Sequence, residues 1–132
     1  MKNLIKIKRA LISVSDKTLL KEMLLILSKN KVQIISSGGT YNEIRKLGYK
    51  SIKISDYTKF EEILDGRVKT IHPKIYGGIL NVRSNKNHQR DIKKNNFSNI
   101  DMVIVNFYPF ENVIYKKNNF NNIIKNIDIG GP

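Results

Sequence analysis

Short apolar runs alternate with longer amphipathic stretches along this chain. Ala10-Leu11-Ile12-Ser13-Val14, Val32-Gln33-Ile34-Ile35-Ser36 and Asp101-Met102-Val103-Ile104-Val105-Asn106 are apolar without strict alternation. Such runs predict strands buried on both faces, as in parallel sheets, and the last reads as a central strand. Between the first two, Leu20, Met23, Leu24 and Leu27 lie at i, i+3, i+4 and i+7. That spacing predicts a helix with Thr18 as N-cap and its end at Lys29-Asn30. Leu25 and Ile26 widen its apolar face, so the helix reads as largely buried. Thr40 and Glu43 fit a capping box opening a second helix through Leu47, stopped by Gly48. Tyr49 to Ser55 reads as a third strand, and Phe60 to Leu64 as a short helical turn packing through Phe60, Ile63 and Leu64. Asn81 to Asn99 is polar and weakly periodic, a loop with one helix around His88 to Asn95, and Ile123 to Ile127 reads as a last helix. Strand, helix, strand, helix implies an α/β fold with a mostly parallel twisted sheet and right-handed crossovers.

A chain of 132 residues is one domain by length and buries roughly two thirds of its unfolded surface. The absence of cysteine excludes a disulfide framework, a thiolate zinc site and a thiol nucleophile, and no metal is expected. Met1 to Arg9 lacks the apolar core of a secretory leader, and no apolar run reaches membrane-span length. A soluble cytoplasmic protein is therefore expected. The net charge of +13 raises the question of nucleic acid. Lys, Asn and Ile fill 56 of 132 positions, a bias that an AT-rich coding sequence produces, and only five of the 24 basic residues are Arg. No zinc-finger or aromatic-basic RNA-binding signature accompanies the charge, so these lysines read as solvated surface and not as a nucleic-acid interface.

The chemistry concentrates in segments that follow the apolar runs. Asp65-Gly66-Arg67-Val68-Lys69-Thr70-Ile71-His72-Pro73-Lys74-Ile75-Tyr76-Gly77-Gly78-Ile79-Leu80 combines cations, a hydroxyl, an imidazole and a glycine pair in a segment of low helix propensity. Arg67 can fork onto an anion, Lys69 supplies a movable charge, and the glycines permit close backbone approach to a ligand. Ser15-Asp16-Lys17-Thr18 follows the first strand, Ser37-Gly38-Gly39-Thr40 the second, and Asn106-Phe107-Tyr108-Pro109-Phe110 the late one. The carboxyl ends of strands in an open α/β sheet face one crevice, where these loops would converge. Each motif also has an ordinary reading: a helix cap for Ser15 to Thr18, a tight turn with an N-cap for Ser37 to Thr40. Neither the Walker pattern nor the three-glycine dinucleotide fingerprint is present. His72, held between Ile71 and Pro73, either exchanges protons or fixes the loop that presents Lys69 and Thr70. His88 reads as solvated, and Phe107 and Phe110 as packing residues. Tyr108 offers a phenolic hydroxyl, and Asp128 precedes Gly130-Gly131.

Taken in order and closed by Ile127-Asp128-Ile129-Gly130-Gly131, these motifs resemble the inosine monophosphate cyclohydrolase domain of the bifunctional purine-biosynthesis enzyme, from about Arg9 to Pro132. The resemblance implies a three-layer α/β sandwich of methylglyoxal-synthase-like type. The implied reaction is dehydrative closure of 5-formamidoimidazole-4-carboxamide ribonucleotide to inosine monophosphate. It further implies that Lys69, Tyr108 and Asp128 take part in ring closure. The residues implied to line the nucleotide are Ser15, Asp16, Lys17, Ser37, Gly38, Gly39, Thr40, Arg67, Val68, Lys69, Thr70, Val105, Asn106, Asp128 and Ile129. No cofactor is implied for this step; 10-formyltetrahydrofolate serves a second, transformylase domain outside the chain, and the whole enzyme is expected to be a homodimer. Leu19 stands where the family usually has glycine. The family's Arg-Ala-Ala-Ala-Lys-Asn helix, whose lysine is assigned to proton transfer, lies beyond Pro132. The chain is thus expected to be the cyclohydrolase domain, residues 1–132, truncated at its C-terminal end, able to bind nucleotide and weakly active or inactive alone. A regulatory nucleotide- or metabolite-binding module of the same superfamily shares the phosphate loop but does not need the Arg67 to Leu80 run or the Asn106 to Phe110 motif.

Overall fold

The computed structural model describes residues 4–106, 120–125 and 127. Within these residues four parallel strands, β1 (Arg9–Ser13), β2 (Gln33–Ser36), β3 (Ile52–Lys53) and β4 (Met102–Val105), lie in the order β3-β2-β1-β4. Among the described residues six helices accompany them: α1 (Leu20–Lys29), α2 (Gly38–Lys46), α3 (Ile54–Thr58), α4 (Pro73–Leu80), α5 (Lys86–Lys94) and α6 (Phe120–Lys125).

Period-2 alternation along β1 divides the core. Ala10 and Ile12 pack with Leu20, Leu24 and Leu27 of α1 and Ile44 of α2 on one face. Leu11 packs with Ile35 of β2, Ile54 of α3 and Ile75 of α4 on the other. The sheet therefore has helices on both faces, the α/β architecture that its apolar strands require. β1 and β2 are the inner strands. β4, read from its sequence as central, is the outer strand among the described residues and is half-buried throughout.

Other boundaries moved for local reasons. Thr18 does not cap α1; Leu19 is the N-cap, because the Thr18 hydroxyl is taken by Asp16. Leu25 and Ile26 are exposed, since the 3.6-residue repeat turns them away from the Leu20, Leu24, Leu27 stripe. α2 starts at Gly38 with Ser37 as N-cap, so Thr40 lies inside the helix and the capping box does not form. Gly48 ends it in the left-handed region, its amide bonded to the Arg45 carbonyl. The expected third strand shortens to two residues and runs into α3. Phe60 to Leu64 is no helix: Ile63 pairs with Val68 across a turn whose Leu64, Asp65 and Gly66 all have positive φ, and Phe60, Ile63 and Leu64 are exposed.

The segment from Pro73 is helical despite its composition, with proline at the first position, where its missing N–H costs nothing. Gly77 and Gly78 serve packing within the chain, not approach to a ligand. A Cβ on Gly78 would lie 2.7 Å from the Ser98 carbonyl oxygen and 3.0 Å from Ile100 Cγ1, while the Ile100 amide donates to the Gly78 carbonyl. A latch joins the starts of β1 and β4. Asp101 accepts from the amides of Lys8 at 2.7 Å and Arg9 at 2.8 Å and pairs with the Arg83 guanidinium. Burial pushes its carboxyl up, but these donors outweigh that and hold it below the usual carboxylate range. Among the described residues no helix is long and apolar enough to cross a membrane.

Candidate functional site

The chain steps from β1 outward to β2 and β3, then returns to the other side of β1 as β4. This reversal opens a crevice at the carboxyl ends of β1 and β4, the place where open α/β sheets bind ligands. Three loops meet there.

The β1 loop, Val14 to Leu19, is held from two sides. Asn106, just past β4, accepts through Oδ1 from the Ser15 amide at 2.6 Å, the Ser15 hydroxyl at 3.0 Å and the Asp16 amide at 3.2 Å. Its Nδ2 donates to the Asp16 carbonyl at 2.9 Å. On the other side the buried Thr40 hydroxyl accepts from the Val14 amide at 3.0 Å and donates to the Val14 carbonyl at 2.9 Å. Asp16 closes a local turn through the Thr18 hydroxyl and amide; these bonds, with Lys17 adding to them, hold its carboxyl below the usual range.

The second loop is the start of α2. Ser37 is buried and shares a 3.4 Å contact with the Ser13 hydroxyl, so it leaves the helix end uncapped by its own side chain. The Gly38 and Gly39 amides open the helix, where no intrahelical acceptor exists and the dipole is positive. Two ammonium groups flank this turn. A Cβ on Gly39 would lie 3.9 Å from Lys17 Nζ, and one on Gly38, which has φ +47°, 3.8 Å from Lys69 Nζ. Backbone N–H groups at a helix start between two cations suit a phosphate or carboxylate.

Lys69 comes from the third loop, and of the four residues Arg67 to Thr70 it is the one that reaches the glycine turn. Val68 is engaged with Ile63, Thr70 is buried, and Arg67 is exposed. Val105 pairs with Ser13 inside the sheet. His72 acts as the N-cap of α4, its Nδ1 accepting from the Lys74 amide at 3.1 Å, the loop-fixing role among its two readings. His88 is not simply solvated: its Nδ1 accepts from the Val82 amide at 3.0 Å. Tyr108, Asp128 and Ile129, with Phe107 and Phe110, lie outside the described residues.

Sequence reasoning missed Glu62. Its Oε2 lies 3.4 Å from the point a Cβ on Gly66 would take, and Lys69 Nζ lies 4.0 Å from that same point, so a carboxylate borders the Gly66 turn from which Lys69 follows. No spacing rule marks such a residue. A separate cleft of about 730 Å³ lies away from this site, lined in part by Lys31, Arg45 and Lys50. Its cations stand at or beyond the C-terminal ends of α1 and α2, where positive charge answers the helix dipoles.

Comparison with known proteins follows the same lines. Residues 20–132 match the family model for the MGS-like domain. The chain is 56% identical over 127 residues to the bifunctional purine biosynthesis protein PurH of Acetivibrio thermocellus, and 53% over 127 residues to that of Ruminiclostridium cellulolyticum. In both cases 96% of this chain is covered, and it spans about a quarter of the relative's length, 25%. The crystal structure of ForH superposes with a TM-score of 0.78 at 27% identity, covering 95% of this chain and 63% of that one.

Proposed function

The chain belongs to the MGS-like domain family, and from that membership we propose that it binds a purine nucleotide monophosphate and contributes the ring closure that yields inosine monophosphate in purine biosynthesis. The observation that supports this most directly is the placement of Lys17 and Lys69 on either side of the Gly38-Gly39 turn, at the carboxyl end of β2 beside the β1–β4 switch point, in a chain 56% identical to a PurH protein.

In this reading the nucleotide phosphate sits on the α2 start, and the base extends toward the end of β4. The carboxamide nitrogen attacks the formyl carbon, a weak nucleophile meeting a weak electrophile, while negative charge gathers on the former formyl oxygen. Water is then lost. Such a step needs positioning, stabilisation of that oxygen and proton transfer, and it needs no cofactor. Tyr108 stabilises the oxygen, Asp128 accepts or orients the amide proton, and Lys69, whose ammonium flanks the Gly38 side of the phosphate turn, contributes to ring closure by holding the substrate there. Lys17 anchors the phosphate beside the Gly38 and Gly39 amides. The parent enzyme in this reading is a cytoplasmic homodimer whose second activity transfers a formyl group from 10-formyltetrahydrofolate.

The test is a thermal shift with inosine monophosphate against inosine. A ligand that binds only the native state adds about 2.7 kcal/mol at one hundred times its dissociation constant. The phosphorylated compound should raise the midpoint clearly and the nucleoside much less. Equal shifts would remove the phosphate assignment.

A further inference from the structure

From the hydrogen bonds around the β1 loop we infer that the side chains of Asn106 and Thr40 are positioning residues, which hold Val14 to Asp16 in place so that Lys17 faces the anion, and which do not themselves take the ligand. The inference rests on the nucleotide reading for its consequence, and on geometry alone for the clamp.

The two side chains have little left to offer a ligand. A hydroxyl has one proton and two lone pairs. Thr40 gives its proton to the Val14 carbonyl and one lone pair to the Val14 amide, and it is only 4% exposed. A carbonyl oxygen has two lone pairs, and Asn106 Oδ1 already takes three donors from Ser15 and Asp16. One of its two amide protons goes to the Asp16 carbonyl. Thr40 enters from the first turn of α2 and Asn106 from the residue just past β4, so successive residues of one loop are fastened to elements on both sides of β1.

Lys17 needs such support. Among the described residues its Nζ donates one hydrogen bond, to the Ser15 carbonyl at 3.3 Å, and that carbonyl belongs to the clamped loop. A four-carbon stem points wherever its backbone allows, so the orientation of Ser15 and Asp16 decides whether the ammonium sits over Gly39. Direct ligand contacts by Asn106 and Lys17 would contribute independently. A clamp acting through Lys17 makes their effects non-additive.

The experiment has two arms. Amide hydrogen exchange on the ligand-free chain should show the Ser15 and Asp16 amides exchanging at least about tenfold faster in Asn106→Ala, with Leu11 and Ile12 still protected as evidence that the sheet is intact. Thr40→Val should free the Val14 amide in the same way, and Thr40→Ser, which keeps the hydroxyl, should restore it. Titration with inosine monophosphate then closes a double-mutant cycle. Lys17→Ala should weaken binding about five- to thirtyfold in the otherwise unaltered chain and less than about twofold in the Asn106→Ala background. An undiminished Lys17→Ala effect in that background would overturn the inference, since Asn106 would then act through its own contact. Should the monophosphate and inosine bind alike, the nucleotide reading fails and exchange alone decides the clamp: unchanged Ser15 and Asp16 exchange overturns it, accelerated exchange upholds it.

Discussion

Removing either flanking cation, by Lys17→Ala or Lys69→Ala, should weaken binding of inosine monophosphate by a predictable amount. Each Nζ lies within 4 Å of the space a Cβ would take on the glycine turn, so a phosphate resting on the Gly38 and Gly39 amides meets both at roughly salt-bridge distance. Two unit charges at 4 Å attract by about 4 kcal/mol at an effective dielectric constant of 20 and by about 1 kcal/mol in bulk water. Both lysines are half-exposed, which places the net loss toward the lower bound, about 1–2 kcal/mol for each. That corresponds to roughly a five- to thirtyfold rise in the dissociation constant. The two lysines come from different loops, so the losses should multiply in the double variant. Isothermal titration at low and physiological salt is the assay, with inosine as the phosphate-free control. Affinity of the unaltered chain should fall as salt rises, and the double variant should lose most of that dependence. Losses below about twofold for both variants, or equal losses for inosine, would show that the ammonium groups do not serve a phosphate.

Gly78→Ala should destabilise the fold by about 1–3 kcal/mol, read as a lower denaturation midpoint, because its Cβ would meet a backbone oxygen at 2.7 Å; a neutral outcome would mean that α4 and the 98–100 segment are not packed as described. Gly77→Ala should cost less, since the nearest atom there belongs to the Phe97 ring, which can turn. Asp101 has a folded pKa below its unfolded value, so the stability it contributes is present above the ordinary aspartate value and is lost as pH falls through the folded one. Denaturant midpoints across the acid range should therefore show a shallower pH dependence for Asp101→Asn than for the unaltered chain, and identical profiles would contradict the latch. In the full-length parent enzyme His72→Asn should keep stability and turnover because asparagine is also a good N-cap, whereas His72→Ala should lose about 1 kcal/mol; loss of turnover in a well-folded His72→Asn variant would assign the imidazole a proton-transfer role instead.

Features that depend on neighbours in sequence were legible in it. The apolar runs located β1, β2 and β4, the i, i+3, i+4, i+7 spacing located α1, and the Ser37 to Thr40 motif marked the passage from β2 to α2, although Gly38 to Thr40 form the first turn of the helix itself. Errors arose where one local rule overrode another. Asp16 took the Thr18 hydroxyl that a helix cap would use, and three successive left-handed residues prevented the helix expected before Arg67. Partners far apart in the chain were invisible to spacing rules: Asn106 on Ser15, Thr40 on Val14, Gly77 on Phe97, and Gly78 on Ser98 and Ile100. Sequence placed all of these residues near chemistry without showing which would be engaged by the protein itself.

The strand order also bears on how the site comes into being. Arg9 meets Gln33 across 24 positions, but meets Asp101 across 92, so β1 joins β2 early along the chain and β4 very late. Closing the longer loop is about two doublings dearer, roughly 1.2 kcal/mol of chain entropy. A nucleus built on β1, α1 and β2 can therefore form before β4 docks, and in the native state β4 should detach at lower free energy than the β1–β2 pair. Because Asn106, just past β4, clamps the loop that carries Lys17, such detachment would loosen the binding site while leaving most of the core intact. A ligand spanning the crevice would slow that opening selectively, protecting the amides of β4 from exchange more than those of β2.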